Sequence, residues 1–410
     1  MNDDVVISGL NTTDNKVQGN YIGLNATGTA AIPNNNDGVG VFANAQNNTI
    51  GGTSPGTRNF ISGHAGYGVA VGNPGTAANS IQGNTIGLNA LNSPVPNASP
   101  GVAFFDSAQS STALPNVLGG TAPGASNLIS GNSNEGVAVY SLNSTTIKET
   151  ISRNSITGNG GKGIALYNGG NNSQAFPTIA TAVVSTVGNP NGTDSSGSLA
   201  VTANITYTIE FFASPSADPS GFGEGQFFIG TTTVTSNASG TVNFSASLAA
   251  AVPAGYVIAA TATDSAGNTS EFSAIRTVAL TDSDSDRIPD AWLNARFGHN
   301  TGQAGDKSRA SDDADGDGLT NLQEYRAGTD PRSATNALRI SAIDKISNGF
   351  AINFPSVTDK TYRLEYRDDL VTGSWNTLVD QMLGTGGTLQ ISDLAAAGSA
   401  RRFYRIAIEP

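Results

Sequence analysis

The chain contains no cysteine, so neither disulfides nor thiolate chemistry is available, and any stapling beyond packing falls to metal ions or to long hydrogen-bond ladders. Histidine occurs only twice in 410 residues, which leaves little material for imidazole-based catalysis. Basic residues are also few: 20 Lys and Arg stand against 32 Asp and Glu, a net charge of −12. Neutralising phosphates needs clustered Lys and Arg, so nucleic acid is excluded as a partner and cations are the favoured charged ligands. Charged residues make up 13% of the chain, yet the apolar fraction of 38% is enough to build cores, which excludes global disorder. No apolar run reaches the roughly 18 residues of a membrane span. Met1-Asn2-Asp3-Asp4 has neither the basic nor the apolar region of a secretory leader, so processing or an incomplete N-terminus is expected if the chain is exported.

What the chain does have is glycine, 50 residues of it, and length enough for about three or four units. Up to residue 174 a short strand pattern arrives roughly every ten residues, at Val5–Ser8, Val39–Phe42, Val69–Val71, Val102–Phe105 and Val137–Tyr140 among others. A longer period is explicit in the residues. Val17-Gln18-Gly19-Asn20-Tyr21-Ile22-Gly23-Leu24-Asn25 returns as Ile81-Gln82-Gly83-Asn84-Thr85-Ile86-Gly87-Leu88-Asn89, and Gly51-Gly52-Thr53-Ser54-Pro55-Gly56 returns as Gly119-Gly120-Thr121-Ala122-Pro123-Gly124. Strands this short cannot bury an apolar side alone and must stack coil upon coil. The many asparagines suit left-handed corner turns, where each amide can bond its copy in the next coil. Through these Asn-x-Ile-x-Gly-Asn units, residues 1–174 resemble the right-handed parallel β-helix family, whose members include pectate lyases and many bacterial surface proteins.

From 175 to 280 the strands lengthen and alternate, as in Tyr207–Phe212 and Val257–Thr263, with turn clusters at 188–197, 215–225 and 237–240, a pattern expected of a β-sandwich. The segment Ala262-Thr263-Asp264-Ser265-Ala266-Gly267-Asn268-Thr269-Ser270-Glu271-Phe272 resembles the final hairpin of bacterial immunoglobulin-like repeats, which implies a spacer. Residues 336–410, with Tyr362–Tyr366, Trp375 and Arg402–Ile408, resemble the small C-terminal β-sandwiches of secreted bacterial proteins. The expected fold is therefore all-β and multidomain: a parallel β-helix (1–174), an immunoglobulin-like β-sandwich (175–280), a short calcium-binding EF-hand-like module (281–335) and a C-terminal β-sandwich (336–410).

The calcium assignment rests on residues 313–324, Asp-Ala-Asp-Gly-Asp-Gly-Leu-Thr-Asn-Leu-Gln-Glu. Asp313, Asp315 and Asp317 supply oxygens from one side of a turn, Gly318 permits the reversal, and the Leu319 carbonyl faces the ion. Asn321 acts through water, and Glu324 closes the shell as a bidentate carboxylate, giving the six to eight oxygens a hard, large cation prefers. A solvated acidic linker is the plain alternative, and it does not account for the complete spacing. A weaker second loop begins at Asp282, with Asp284, Asp286, the Ile288 carbonyl and Asp290 in the corresponding positions. It departs from the pattern at Arg287, where glycine is usual, and at Leu293, where the closing Glu belongs, so the site is expected to be weaker or to borrow a ligand such as Asp312 or Asp330. Together the two loops resemble thrombospondin type 3 or dockerin-like calcium repeats, and the Gly328-Thr329-Asp330-Pro331 ending is similar. That resemblance implies a calcium-rigidified connector in a secreted protein, and millimolar calcium outside the cell suits such loops. The expected location is extracellular or on a bacterial cell surface.

A glycosidase needs two carboxylates about 5 to 9 Å apart. Asp3, Asp4, Asp14, Asp37, Asp106, Glu135 and Glu149 are the acids of the first region, and only the first two adjoin in sequence. Arg58, Lys148 and Arg153 have no acidic cluster beside them, and His64 and His299 read as turn residues. Gly51-Gly52 lacks the lysine and the helix of a phosphate loop. No catalytic residue is assigned. The reading is a non-catalytic structural protein of the cell surface or of a self-assembling filament, in which an uncovered first coil would recruit another copy. Alternatives are a carbohydrate-active β-helix enzyme, a lyase or hydrolase, and an adhesin binding surface glycans.

Overall fold

The computed structural model describes residues 3–408 apart from 33, 108–113, 143–147, 186–191, 359, 372 and 399–400, so the turn cluster expected at 188–197 lies partly outside the described residues. Strand accounts for 40% of the chain and helix for 6%, which makes it nearly all-β. It divides into two compact units, Met1–Ala279 and Leu280–Pro410.

The first unit opens with coils of three strands each. They are β1 (Val5–Ser8), β2 (Lys16–Val17) and β3 (Tyr21–Ile22); β4 (Val39–Phe42), β5 (Thr49–Gly51) and β6 (Phe60–Ile61); β7 (Val69–Gly72), β8 (Ser80–Gln82) and β9 (Thr85–Ile86); β10 (Val102–Phe105), β11 (Asn116–Gly119) and β12 (Leu128–Ser130); β13 (Val137–Tyr140), β14 (Glu149–Ser152) and β15 (Ser155–Thr157). A further strand, β16 (Ile164–Tyr167), follows. Equivalent strands of successive coils pair in parallel, giving one six-stranded and two five-stranded sheets, the stacked arrangement of a β-helix. Register keeps like on like: Val39, Val69, Val102, Val137 and Ile164 pair in turn, as do Ile61, Ile86, Ile129 and Ile156. All of these side chains are buried in one continuous apolar column. A one-residue slip would turn that column outward, which is how the hydrophobic pattern fixes the pairing.

Corner asparagines tie the coils together. Asn15, Asn48, Asn79 and Asn116 form one ladder, each amide donating to the next Oδ1 at 2.9–3.0 Å; Asn20, Asn59, Asn84, Asn127 and Asn154 form a second. A third runs through His64, Asn97, Asn132 and Asn159. These ladders satisfy buried backbone N–H groups as well, as in Asn48 N–H to Asn79 Oδ1 at 2.9 Å, so the tight corners leave few orphaned donors. Two residues beyond the paired Val17, Ile50, Ile81, Leu118 and Ile151, the chain turns with positive φ. The residue there is Gly19, Gly52, Gly83 and Gly120 in four coils, and Arg153 (φ 54°) in the last.

After a short 3-10 turn, seven antiparallel strands follow. They are β17 (Thr178–Val184), β18 (Thr193–Ala200), β19 (Thr206–Ser214), β20 (Phe227–Thr235), β21 (Thr241–Leu248), β22 (Val257–Asp264) and β23 (Arg276–Thr277), in sheets β17-β18-β21 and β20-β19-β22-β23. On β19 and β22 alternation serves two cores. Tyr207, Ile209, Phe211, Ile258, Ala260 and Ala262 face the core between these sheets. The opposite face brings Phe212 and Ala259, joined by Phe272, into the solenoid's own apolar column beside Ile151, Ile156 and Ile164. The two-sheet segment thus plugs the end of the stack, and the regions separated at 174/175 in the sequence pack as one unit.

Polar contacts complete the plug. Glu210 accepts from the Ser152 hydroxyl (2.7 Å) and the Arg153 N–H (3.0 Å); Glu224 accepts from the N–H groups of Gly158 and Asn159; Glu271 accepts from the Leu166 N–H. Main-chain bonds run both ways between Ile156 and Gly225 at 2.9 Å. The last coil's strand edges are therefore covered by the chain itself.

The second unit holds two helices, α1 (Asp290–Phe297) and α2 (Asn321–Ala327), and six strands: β24 (Ala342–Ile346), β25 (Gly349–Pro355), β26 (Thr361–Arg367), β27 (Asn376–Leu383), β28 (Thr388–Asp393) and β29 (Phe403–Ile408). They form two antiparallel sheets, β24-β25-β28 and β27-β26-β29, sandwich-like around buried Ile352, Phe354, Tyr362 and Leu364. Lys360 joins the helical part to the sheets, its ammonium 5.7 Å from the Tyr325 ring centroid and 3.4 Å from the Tyr325 carbonyl.

Candidate metal centre

The loop from Asp313 to Glu324 is held by its own carboxylates. Asp313 accepts from the N–H groups of Gly316 (2.7 Å) and Gly318 (3.0 Å), Asp315 from that of Asp317 (3.1 Å), and Asp317 from that of Leu319 (2.8 Å). Gly316 and Gly318 are left-handed, φ 82° and 96°, which lets the loop curl around one point. At its end Thr320 caps α2 through a capping box with Gln323, and this fixes the first helical turn that carries Glu324. Asp313, Asp315 and Asp317 each present one oxygen within 4.8 Å of the other two.

The remaining oxygens point to a ligand. Oδ2 of Asp315 and of Asp317, Oδ1 of Asn321 and Oε2 of Glu324 are buried without a hydrogen-bond partner. Glu324 is wholly buried, and its other oxygen takes only a 3.4 Å bond from Thr329. Burial first, then the neighbouring charges of Asp315, Asp317 and Asp313, push its carboxyl up to about 7. Unpaired buried carboxylates of like sign are costly, and a bound divalent cation removes the cost. The amide nitrogen of Asn321 bonds the Lys307 and Arg309 carbonyls at 2.8 Å, so this residue ties the loop to the segment before it.

The loop at Asp282 repeats the geometry in part. Asp282, Asp284 and Asp286 gather within 4.8 Å. Asp282 accepts from Arg287 N–H (2.9 Å) and Asp286 from Ile288 N–H (2.8 Å), as Asp313 and Asp317 do in the other loop. Ser285 (φ 59°) and Arg287 (φ 76°) adopt the left-handed conformation that Gly316 and Gly318 supply thirty-one residues later, so the departure at Arg287 leaves the turn in place at a strain cost of about 1–2 kcal/mol. Asp290 is buried, and both its oxygens accept from Ser283, one from the N–H (2.7 Å) and one from the hydroxyl (2.6 Å). Leu293, buried and apolar, occupies the place of Glu324. Of the two acids considered as substitutes, Asp330 pairs with Arg296 at 3.3 Å and Asp312 accepts from Arg309 N–H at 3.2 Å. Burial, with Asp284 and Asp282 nearby, raises the Asp286 carboxyl above its usual range. Trp292 of α1 meets Tyr325 of α2 edge-on at 5.8 Å, which packs the two loop–helix pairs together.

The solenoid acids are dispersed or spent. Glu149 lies buried at the foot of the first ladder, accepting from Ser107 at 2.6 Å, and burial above all raises its carboxyl to about 8. Glu135 accepts from the Tyr167 hydroxyl, and Arg153 stacks on Phe228 at 4.6 Å beside Glu210. Asp4 and Asp37 do assemble beside His64, with Asp3 next to Asp37. That histidine is 2% exposed, a core residue and not the surface turn residue expected; its isolation between glycines in the sequence hid the ladder position it fills.

No family model matches the chain, and no curated protein matches it. A solved structure described as "Biofilm associated protein - BSP domain" shares 14% identity over 58% of this chain and 51% of that one, with a TM-score of 0.18; the chain thus spans about half of that structure's length.

Proposed function

We propose that the Asp313–Glu324 loop binds one calcium ion, that the Asp282 loop binds a second more weakly, and that the protein is a non-catalytic structural component acting outside the cell or on its surface. The observation that carries this reading is the set of buried, unpartnered oxygens on Asp315, Asp317, Asn321 and Glu324 around one turn. Oxygen-only donors, four carboxylates and a long flexible loop suit calcium at about 2.3–2.6 Å better than magnesium, which demands a tighter octahedron. Asp313, Asp315, Asp317, the Leu319 carbonyl, Asn321 and Glu324 would hold the first ion, and calcium would supply the charge that lets their oxygens converge. In the second loop Asp282, Asp284, Asp286 and the Ile288 carbonyl are the donors, while Asp290 braces Ser283 and Leu293 supplies none. Fewer charged donors support the lower affinity.

A ligand bound by the folded state alone raises stability by RT ln(1 + [L]/Kd). Calorimetry in calcium and in chelator should therefore separate the melting of the 280–410 unit by several degrees. Superimposable transitions would remove the metal assignment. The structural role is supported by the long stacked core. It is tested by incubation with pectin and alginate, where unsaturated or reducing-end products would establish an enzyme instead. Glycan-array binding without cleavage would move the reading to an adhesin. Association into filaments is a finer form of the same reading, and electron microscopy in calcium showing only single particles would remove it.

A further inference from the structure

We propose that His64 is a proton-dependent clip, an imidazolium that fastens the segment entering β1 to the second and third coils and releases it on losing one proton. The hydrogen-bond ladder dictates the state of the ring. Asn97 donates its amide to Asn132 Oδ1 (2.9 Å) and to the Ile61 carbonyl (3.3 Å), so the atom facing His64 is the acceptor Oδ1, which also takes the His64 N–H at 3.2 Å. Nδ1, 2.8 Å from that oxygen, must donate. Nε2 lies 3.2 Å from Asp4 Oδ2, a second acceptor, and a neutral ring with its proton on Nδ1 would turn a lone pair toward a carboxylate. Only the doubly protonated ring satisfies both contacts.

The setting is arranged for a cation. The ring is buried, with Gly23 and Gly38 leaving the space; a Cβ on either would stand 2.5 or 2.8 Å from the imidazole. Titratable groups facing it are Asp4 from the segment before β1 and Asp37 from the turn before β4. Asp3 stands beside Asp37 and Tyr67 beyond it, while the turns at Gly23 and Asn97 bring none. Asp37, buried and bonded by the Tyr67 N–H at 2.8 Å, leans on the same cation. Two carboxylates, Asp4 and Asp37, thus share one imidazolium with Asp3 beside Asp37, and they sit where β1 joins the stack through Asp4 N–H to the Asp37 carbonyl and Val5 N–H to the Gly38 carbonyl. When Nε2 loses its proton, the carboxylates keep only neutral donors, from Asn34 to Asp4, Asn36 to Asp3 and Tyr67 to Asp37; they repel one another without a cation among them, and β1 peels from β4 while the later coils keep their ladders.

Nitrogen-15 NMR of the whole protein gives the direct test. Both His64 ring nitrogens should carry protons in the low-pH form, and Nε2 should lose its proton in the high-pH form. Across that change, amide exchange at residues 4–8, corrected for intrinsic rate, should accelerate by about tenfold or more while β7 and β10 stay protected. His64→Asn, which installs the residue used in the later coils, and Asp4→Asn, which leaves the ladder untouched, should each make exchange at β1 independent of that titration. A neutral ring with the proton on Nε2, or β1 exchange unchanged across the titration in the unmodified protein, would overturn the proposal. So would an Asp4→Asn protein with the same pH dependence, and that variant decides the question even if His64→Asn does not fold.

Discussion

Glu324 and Leu293 occupy equivalent places in the two loops, a buried carboxylate in one and a buried isobutyl group in the other, so on the proposed reading only the first loop can close its oxygen shell. Glu324→Gln should weaken calcium binding by more than about tenfold in titration calorimetry, with the Asp282 site unaffected. The clustering of Asp313, Asp315 and Asp317 was legible because their alternate spacing sets the three side chains on one side of a tight turn. The fate of Asp290 was not, since the serine that takes both its oxygens lies seven residues back and carries no motif. Glu149 offers a separate test. Its carboxyl rises from an ordinary 4.5 to about 8, so the folded state holds a proton that the unfolded chain releases. The stability this lends is complete below about 4.5 and drains away as pH climbs toward 8. Urea midpoints should therefore fall between about pH 5 and about pH 8 and level off above that, and Glu149→Gln should flatten the fall.

At the level of strands and ladders, β1, β4, β10 and β13 coincide with the patterns read from sequence, because a valine beside a glycine or at the start of an apolar alternation marks the core position. The patterns at Val17–Gly23 and Ile81–Gly87 instead break into pairs, β2 with β3 and β8 with β9, since the Gly-Asn between them is a corner. β14 escaped notice because its first residue is a glutamate, a charge that reads as loop until Ser107 and Asn116 are seen to receive it. The corners carry energy that can be measured. Asn84 accepts from the Asn59 amide and donates to Asn127 and to the Ile50 carbonyl. Asn84→Ala should cost about 2–4 kcal/mol in denaturant unfolding, more than the loss of a single hydrogen bond, because three buried polar groups lose their partner together.

For the molecule as a whole, the sequence showed a solenoid and an alternating-strand region but not that one closes the other. Phe211-Phe212 and Ala259-Ala260 are the trace of it: adjacent apolar residues on a strand mean that both faces are buried, and the second face needs a partner the local pattern does not name. A chain ending at residue 174 would expose Ile151, Ile156 and Ile164 with the free edges of β14, β15 and β16. It should self-associate in light scattering more strongly than the chain through 279, in which that end is covered.

The column of turn residues Gly19, Gly52, Gly83, Gly120 and Arg153 shows how the stack is told where to stop. The earlier coils are alike at this corner, each handing an asparagine amide of the second ladder and a bare turn to the next. The arginine breaks that equivalence, spending backbone strain on a side chain that only the plug can receive beside Glu210 and Phe228. The change of turn residue thus marks the coil at which stacking gives way to closure.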